Sequence, residues 1–251
     1  MRRVMALRGG GVASIVFALG VLATPGLAAD APKGRPVDEV LNEYIHALGG
    51  QAALDRIQTR EVEARRHRGP KLTYYWQRPS KVLLVEGKER IGWDGGSGWM
   101  LSKKQRVTKL SKSSHWPLET DANPVRYANL KQLYPDVTTA APEVLNGRQA
   151  DVLISPNELG ATKLYFDRES HLLVRVEEKG EVSAYFKTVT DFEDYQTVDG
   201  IKLPFRITHS SDEPGAQSQV IQISEVRQNV PIRPEIFAKP NAATVTLGGK
   251  R

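Results

Sequence analysis

Apolar positions first recur at helical spacing. Val37, Val40, Leu41, Tyr44, Ile45 and Leu48 fall at i, i+3, i+4, i+7, i+8 and i+11, which draws one apolar stripe down a helix. Pro36 suits the first turn, where its missing N–H costs nothing. Asp38 and Glu39 follow, where the helix dipole favours acids, and Gly49-Gly50 ends the run. A short second helix is predicted over 51–57. Beyond Thr59 the period drops to two. The stretch 71–76 sets Leu72, Tyr74 and Trp76 on one face, and 81–86 is a short apolar run. Residues 91–93 and 99–101 flank Asp94-Gly95-Gly96-Ser97-Gly98, a hairpin with glycine-rich turn chemistry. A second hairpin joins 162–167 to 171–177 through Arg168-Glu169-Ser170. A third joins 191–198 to 201–209 through Asp199-Gly200, a dipeptide suited to a tight hairpin. Residues 219–226 read as a final strand.

The middle of the chain breaks this rhythm. Pro117, Pro124, Pro135 and Pro142 crowd residues 115–142. Asn123-Pro124 is a cap followed by proline at the first helical position. A helix is therefore predicted over 124–134, with Val125, Ala128, Leu130, Leu133 and Tyr134 apolar, lying across the sheet. From Pro231 the chain reads as an extended tail docked by Ile232, Ile236 and Phe237, with 241–251 a flexible end. Many strands joined by short hairpins predict a mainly β protein with a few helices, built on an antiparallel meander.

The first segment stands apart from this pattern. Arg2, Arg3 and Arg8 precede an apolar run from Val12 to Leu22, and small residues follow through Ala28-Ala29. That is the layout of a secretory signal peptide, 1–29, cleaved near Ala28 or Ala29. The run is shorter than the ~20 residues a bilayer span needs. Residues 30–240 are then expected to form one folded domain in the periplasm, as a monomer. Removing the three arginines lowers the formal charge from +6 to +3. This mild surplus does not predict nucleic-acid binding, which needs a concentrated basic face, and is compatible with peripheral contact with anionic lipid. The chain has no cysteine. Disulfides, thiolate metal sites, a cysteine nucleophile and a lipid-accepting cysteine are all excluded by that absence.

Catalytic patterns fare poorly. His46, His67, His115, His171 and His209 are scattered, none within three or four residues of another, so no metal is expected. Gly96-Ser97-Gly98 resembles a nucleophile elbow, but the elbow needs glycine two residues to either side of the serine. Gly95 fills one place and Trp99 the other, so a turn between aromatic strands explains the glycines better. No phosphate-binding loop occurs, and no cofactor is expected. Glu177-Glu178 and Asp191 with Glu193 lie at strand edges or turns, where acids are usually solvated. The basic stretches Arg65 to Arg68 and Lys103 to Lys112 read as soluble outer faces that block edge pairing. No enzyme is therefore expected. Aromatic and aliphatic surface remains. Apolar gaps between a curved sheet and covering helices accept acyl chains at ~0.8 kcal/mol per buried methylene.

A series of motifs then runs along nearly the whole chain after residue 29. They are 37–41 with 48–50 at the opening helix, Leu164-Tyr165-Phe166-Asp167, Leu172-Leu173-Val174-Arg175, Val198-Asp199-Gly200-Ile201-Lys202-Leu203-Pro204-Phe205 and Phe237-Ala238-Lys239-Pro240. With an export signal and no lipid-accepting cysteine, the chain resembles the bacterial lipoprotein carriers of LolA/LolB type and the outer-membrane lipoprotein-sorting proteins. The resemblance implies an incomplete, half-open antiparallel β-barrel with helices covering its concave face. It also implies a cavity for a lipid or for the acyl chains of a lipoprotein, with an envelope protein as a further partner. Strand alternation alone nominates Leu72, Tyr74, Trp76, Trp93, Trp99, Leu130, Leu133, Phe166 and Phe205 as cavity residues. A protein-binding module working through a sheet edge is the alternative, and an envelope hydrolase assembled from distant residues ranks behind it.

Overall fold

In a computed structural model of the chain, the described residues are 33–67, 69–110, 127–133, 135–157, 160–179 and 186–240, the side chains of 133 and 157 excepted. The expected signal peptide, His115, the expected Asn123-Pro124 cap and the 241–251 end lie outside them. Helices α1 (Val37–Leu48) and α2 (Gln51–Asp55) open the fold. The backbone N–H groups of Gly49 and Gly50 donate to the carbonyls of His46 and Ile45, which closes α1. Gly49 takes a φ of 125°, and a Cβ there would lie 2.1 Å from the Gly200 carbonyl oxygen. The glycine thus serves both the helix end and a close approach to the Asp199-Gly200 turn. Gly49→Ala is expected to cost about 2–3 kcal/mol through strain and clash, read as a lower urea midpoint at unchanged slope.

The strands are β1 (Thr59–Arg66), β2 (Lys71–Gln77), β3 (Lys81–Glu86), β4 (Glu89–Trp93), β5 (Gly98–Leu101), β6 (Val107–Lys109), β7 (Thr138–Thr139), β8 (Glu143–Leu145), β9 (Arg148–Asn157), β10 (Gly160–Asp167), β11 (Leu173–Lys179), β12 (Lys187–Val198), β13 (Ile201–Ser211) and β14 (Gln219–Gln228). All belong to one antiparallel sheet in the order β6-β5-β4-β3-β2-β1-β14-β13-β12-β11-β10-β9-β7, with β8 also on β9. The three expected hairpins are present as β4–β5, β10–β11 and β12–β13. The mid-chain helix α3 is shorter than expected among the described residues. It covers Leu130–Leu133, and residues 127–129 form a turn.

The sheet is strongly curved. Nine strand steps separate β4 from β9, roughly 43 Å along a flat sheet at about 4.8 Å per step. Yet Trp93 of β4 and Leu153 of β9 share one core cluster with Val40, Leu41, Tyr44 and Leu48 of α1. A helix of 12 residues is only about 18 Å long, so the sheet must wrap around it. The edges β6 and β7 stay unpaired along this path. The result is an open, half-closed barrel with helices on its concave side. Tyr44 meets Phe166 edge-on at 5.1 Å, and Tyr127 meets Phe192 at 6.2 Å, so α1 and the turn before α3 both seat on that side.

A second cluster lies on the opposite face. Leu83, Trp99 and Leu101 pack there with Phe237, and Ile232 and Ile236 join them. The tail therefore docks through the three expected residues, with 3-10 helix Pro234–Phe237 at its centre.

Ion pairs fix the front of α1. Arg35 donates to Glu39, to Glu43 at 2.6 Å and to Asp151 of β9 at 3.1 Å. Arg168 donates to the same buried Asp151 at 2.6 Å. The bond from Arg35 holds the Glu43 carboxyl below its ordinary value of 4.5. A depressed carboxylate stabilises the fold above its unfolded pKa and ceases to as the pH falls through its folded one. Glu43→Gln is expected to flatten that part of the acid limb below about 4.5, measured by thermal melts across acidic pH.

Candidate ligand-binding site

Pairing register shows which side chains share the concave face, because residues directly opposite in adjacent strands point the same way. Two cross-strand rows follow. The row nearest the helices runs Trp93, Val82, Trp76, Arg60, Gln228, and every member is buried. The next runs Met100, Ile91, Leu84, Tyr74, Val62, Val226. All of it but Val226 is only half-buried. Ile223, Ile221 and Ile207 continue this apolar surface on β14 and β13, also half-buried. Arg66 donates to Glu86 on the same face farther along, so the apolar band ends at a charged pair.

The residues nominated from sequence divide between these layers. Trp76, Trp93, Leu130 and Phe166 are core around α1, and Tyr74 packs against them. Leu72 and Phe205 are buried as well. Trp99 does not join them. Trp93 pairs with Gly98, and Gly92 pairs with Trp99, so Trp99 faces the other side. A Cβ on Gly92 would sit 2.4 Å from the Trp99 ring, and the Trp99 Nε1–H donates to the Phe237 carbonyl at 2.9 Å. The side chain of Leu133 lies outside the described residues. Sequence reasoning missed Val62, Leu84, Ile91, Met100, Ile207, Ile221 and Ile223. Their signal was present as plain alternation within short strands.

Arg60 is the one chemically unusual member of the inner row. The residue is 7% exposed. Its Nη2–H donates to Gln228 Oε1 at 3.0 Å, and Gln228 Nε2–H donates on to the Val198 carbonyl at 2.7 Å. Its Nε has no hydrogen-bond partner. Burial pushes its pKa down to about 10, against the electrostatic pull of the nearby Tyr74 phenol, so it stays charged at neutral pH.

Other groups are committed elsewhere. Ser97 Oγ–H donates to Asp94 Oδ2 at 3.1 Å, and the same carboxylate accepts from the N–H groups of Gly96 and Ser97. Against the cost of partial burial, those bonds keep Asp94 below the usual carboxylate range. The serine is a turn residue here. Among the described residues no group of three metal-ligating side chains comes together. A cleft of about 360 Å³ opens on the other face beside Arg148, Asp167, Arg175 and Asp191. Its cations are paired, Arg148 to Asp167 at 2.7 Å and Arg175 to Asp191 at 2.7 Å. Among the described residues, the concave face offers apolar contact and one buried positive charge.

No family model matches the chain, and no curated protein matches it. Solved structures do. A DUF1329 family protein from Desulfovibrio piger superposes with a TM-score of 0.58 at 16% identity, covering 81% of this chain and 97% of its own. A LolA superfamily protein from Nitrosomonas europaea gives 0.51 at 12% identity, over 82% and 98%. A domain assigned to outer membrane lipoprotein sorting from Vibrio parahaemolyticus gives 0.50 at 16% identity, over 80% and 95%. The resemblance read from the motifs thus holds at the level of architecture: the chain has the fold of the LolA superfamily and of the lipoprotein-sorting domain.

Proposed function

We propose that this protein is a periplasmic carrier of apolar, lipid-like groups, and not an enzyme. The observation that carries the reading is the half-buried row Met100, Ile91, Leu84, Tyr74, Val62 on the concave face. A contiguous apolar row that stays partly accessible among the described residues is the kind of surface that takes an apolar ligand. The layout of residues 1–29 supports export, and the lipoprotein-sorting fold supports acyl chains as cargo. Lipoproteins bound for the outer membrane are the finer form of this reading. Each chain methylene moved from water onto this surface contributes ~0.8 kcal/mol, so one long acyl chain suffices for micromolar binding or better.

The test is titration of the purified protein with a fluorescent fatty acid. Saturable uptake that unlabelled acyl lipid competes away is expected. A signal that never saturates, or that competitor leaves unchanged, would turn the reading toward a protein-binding module at a sheet edge.

A further inference from the structure

We infer that the ligand is an acidic amphiphile whose anionic head, a carboxylate or a phosphate, is bound by Arg60 and Gln228 beneath the apolar row. The inference rests on the carrier reading and adds the ligand's chemistry to it. A guanidinium removed from water normally sits against a carboxylate, because an unpaired buried charge is costly. Among the described residues no carboxylate lies within ion-pair distance of Arg60, and its hydrogen-bond partner is the neutral amide of Gln228. Four of the half-buried arginines of this fold meet a carboxylate: Arg35 and Arg168 meet Asp151, Arg66 meets Glu86, and Arg175 meets Asp191. Arg78, also half-buried, is satisfied by the backbone carbonyls of Ile57 and Leu54 instead.

Position completes the argument. Arg60 and Val62 are alternate residues of β1 and share the concave face, so the charge lies one row deeper than the half-buried apolar band. A single chain laid along Val62, Leu84 and Ile91 brings its head to Arg60. The free Nε and the Nη groups together form the fork that two anionic oxygens match. Gln228 is held in place by its bond to the Val198 carbonyl and offers no competing negative charge.

Palmitic acid, palmityl phosphate and methyl palmitate, titrated at a pH where both acids are ionised, test this on the full chain. The native protein is expected to favour one or both acids over the ester by about tenfold or more, the worth of one charge-assisted hydrogen bond. The preferred acid identifies the head group. Arg60→Met is expected to bind all three alike, and Arg60→Lys to keep the preference for acids. Replacing a buried cation by an apolar side chain of similar length is usually tolerated, and a thermal melt checks that the fold survives. Equal affinity of the native protein for acids and ester overturns the head-group seat and leaves the carrier reading intact. A preference retained in a folded Arg60→Met does the same. Failure of all three to bind overturns both.

Discussion

Trp99→Ala is expected to destabilise the fold by about 3–5 kcal/mol, the cost of emptying a fully buried indole site. Trp99 is 1% exposed. It fills the space that Gly92 leaves on the face away from the helices, and its indole N–H holds the Phe237 carbonyl. Its loss removes the centre of the cluster formed with Leu83, Leu101 and Phe237 and releases the tail. Denaturant unfolding followed by tryptophan fluorescence and by circular dichroism measures the effect. Trp99 lies outside the concave rows, so affinity for acyl ligands is expected to stay within about twofold under conditions where the variant is folded. A large loss of affinity at full folding would place Trp99 in the binding surface after all.

The second large effect concerns binding and leaves stability nearly alone. Leu84 lies between Ile91 and Tyr74 in the half-buried row. If that row borders open space, Leu84→Trp fills the space at little cost. Overpacking of a closed core costs about 1–3 kcal/mol instead. The expected outcome is a loss of acyl-ligand affinity of about tenfold or more, with stability changed by less than about 1 kcal/mol. Val144→Trp is the control, since Val144 is 59% exposed and lies on β8 at the far end of the sheet. It is expected to bind as the native protein does. Equal binding by both variants would contradict the assignment of the row.

Much of this architecture was legible in the chain. Helix α1 was, because its stripe, its first-turn acids and Gly49-Gly50 agree with one another. The three hairpins were, because Asp94 to Ser97, Arg168 to Ser170 and Asp199-Gly200 are turn chemistry set between alternating runs. Strand β1 was not. Its sequence, Thr-Arg-Glu-Val-Glu-Ala-Arg-Arg, reads as charged surface, and only pairing with β2 and β14 reveals that Arg60 is turned inward. Gln228, its partner, is 168 residues away, a distance no local pattern spans.

Trp99 shows the same limit at short range. Trp93 and Trp99 are an even number of residues apart, which suggests one face. The turn between them sets Trp93 opposite Gly98, and that one-residue offset reverses the face. Of the residues nominated by strand alternation, Trp76, Trp93, Leu130 and Phe166 pack in the core around α1. Apart from Tyr74, the half-buried row consists of smaller aliphatics and Met100, which composition alone does not distinguish from core.

The measurement that bears most directly on the carrier reading is the cargo itself. The full chain is expressed in a bacterial periplasm with its own N-terminal segment, purified without detergent, and extracted for lipid mass spectrometry. Acyl lipid or acylated peptide near one per protein is the predicted result, with an acidic species dominant. A lipid-free protein that also fails to take up fluorescent fatty acid would contradict the reading.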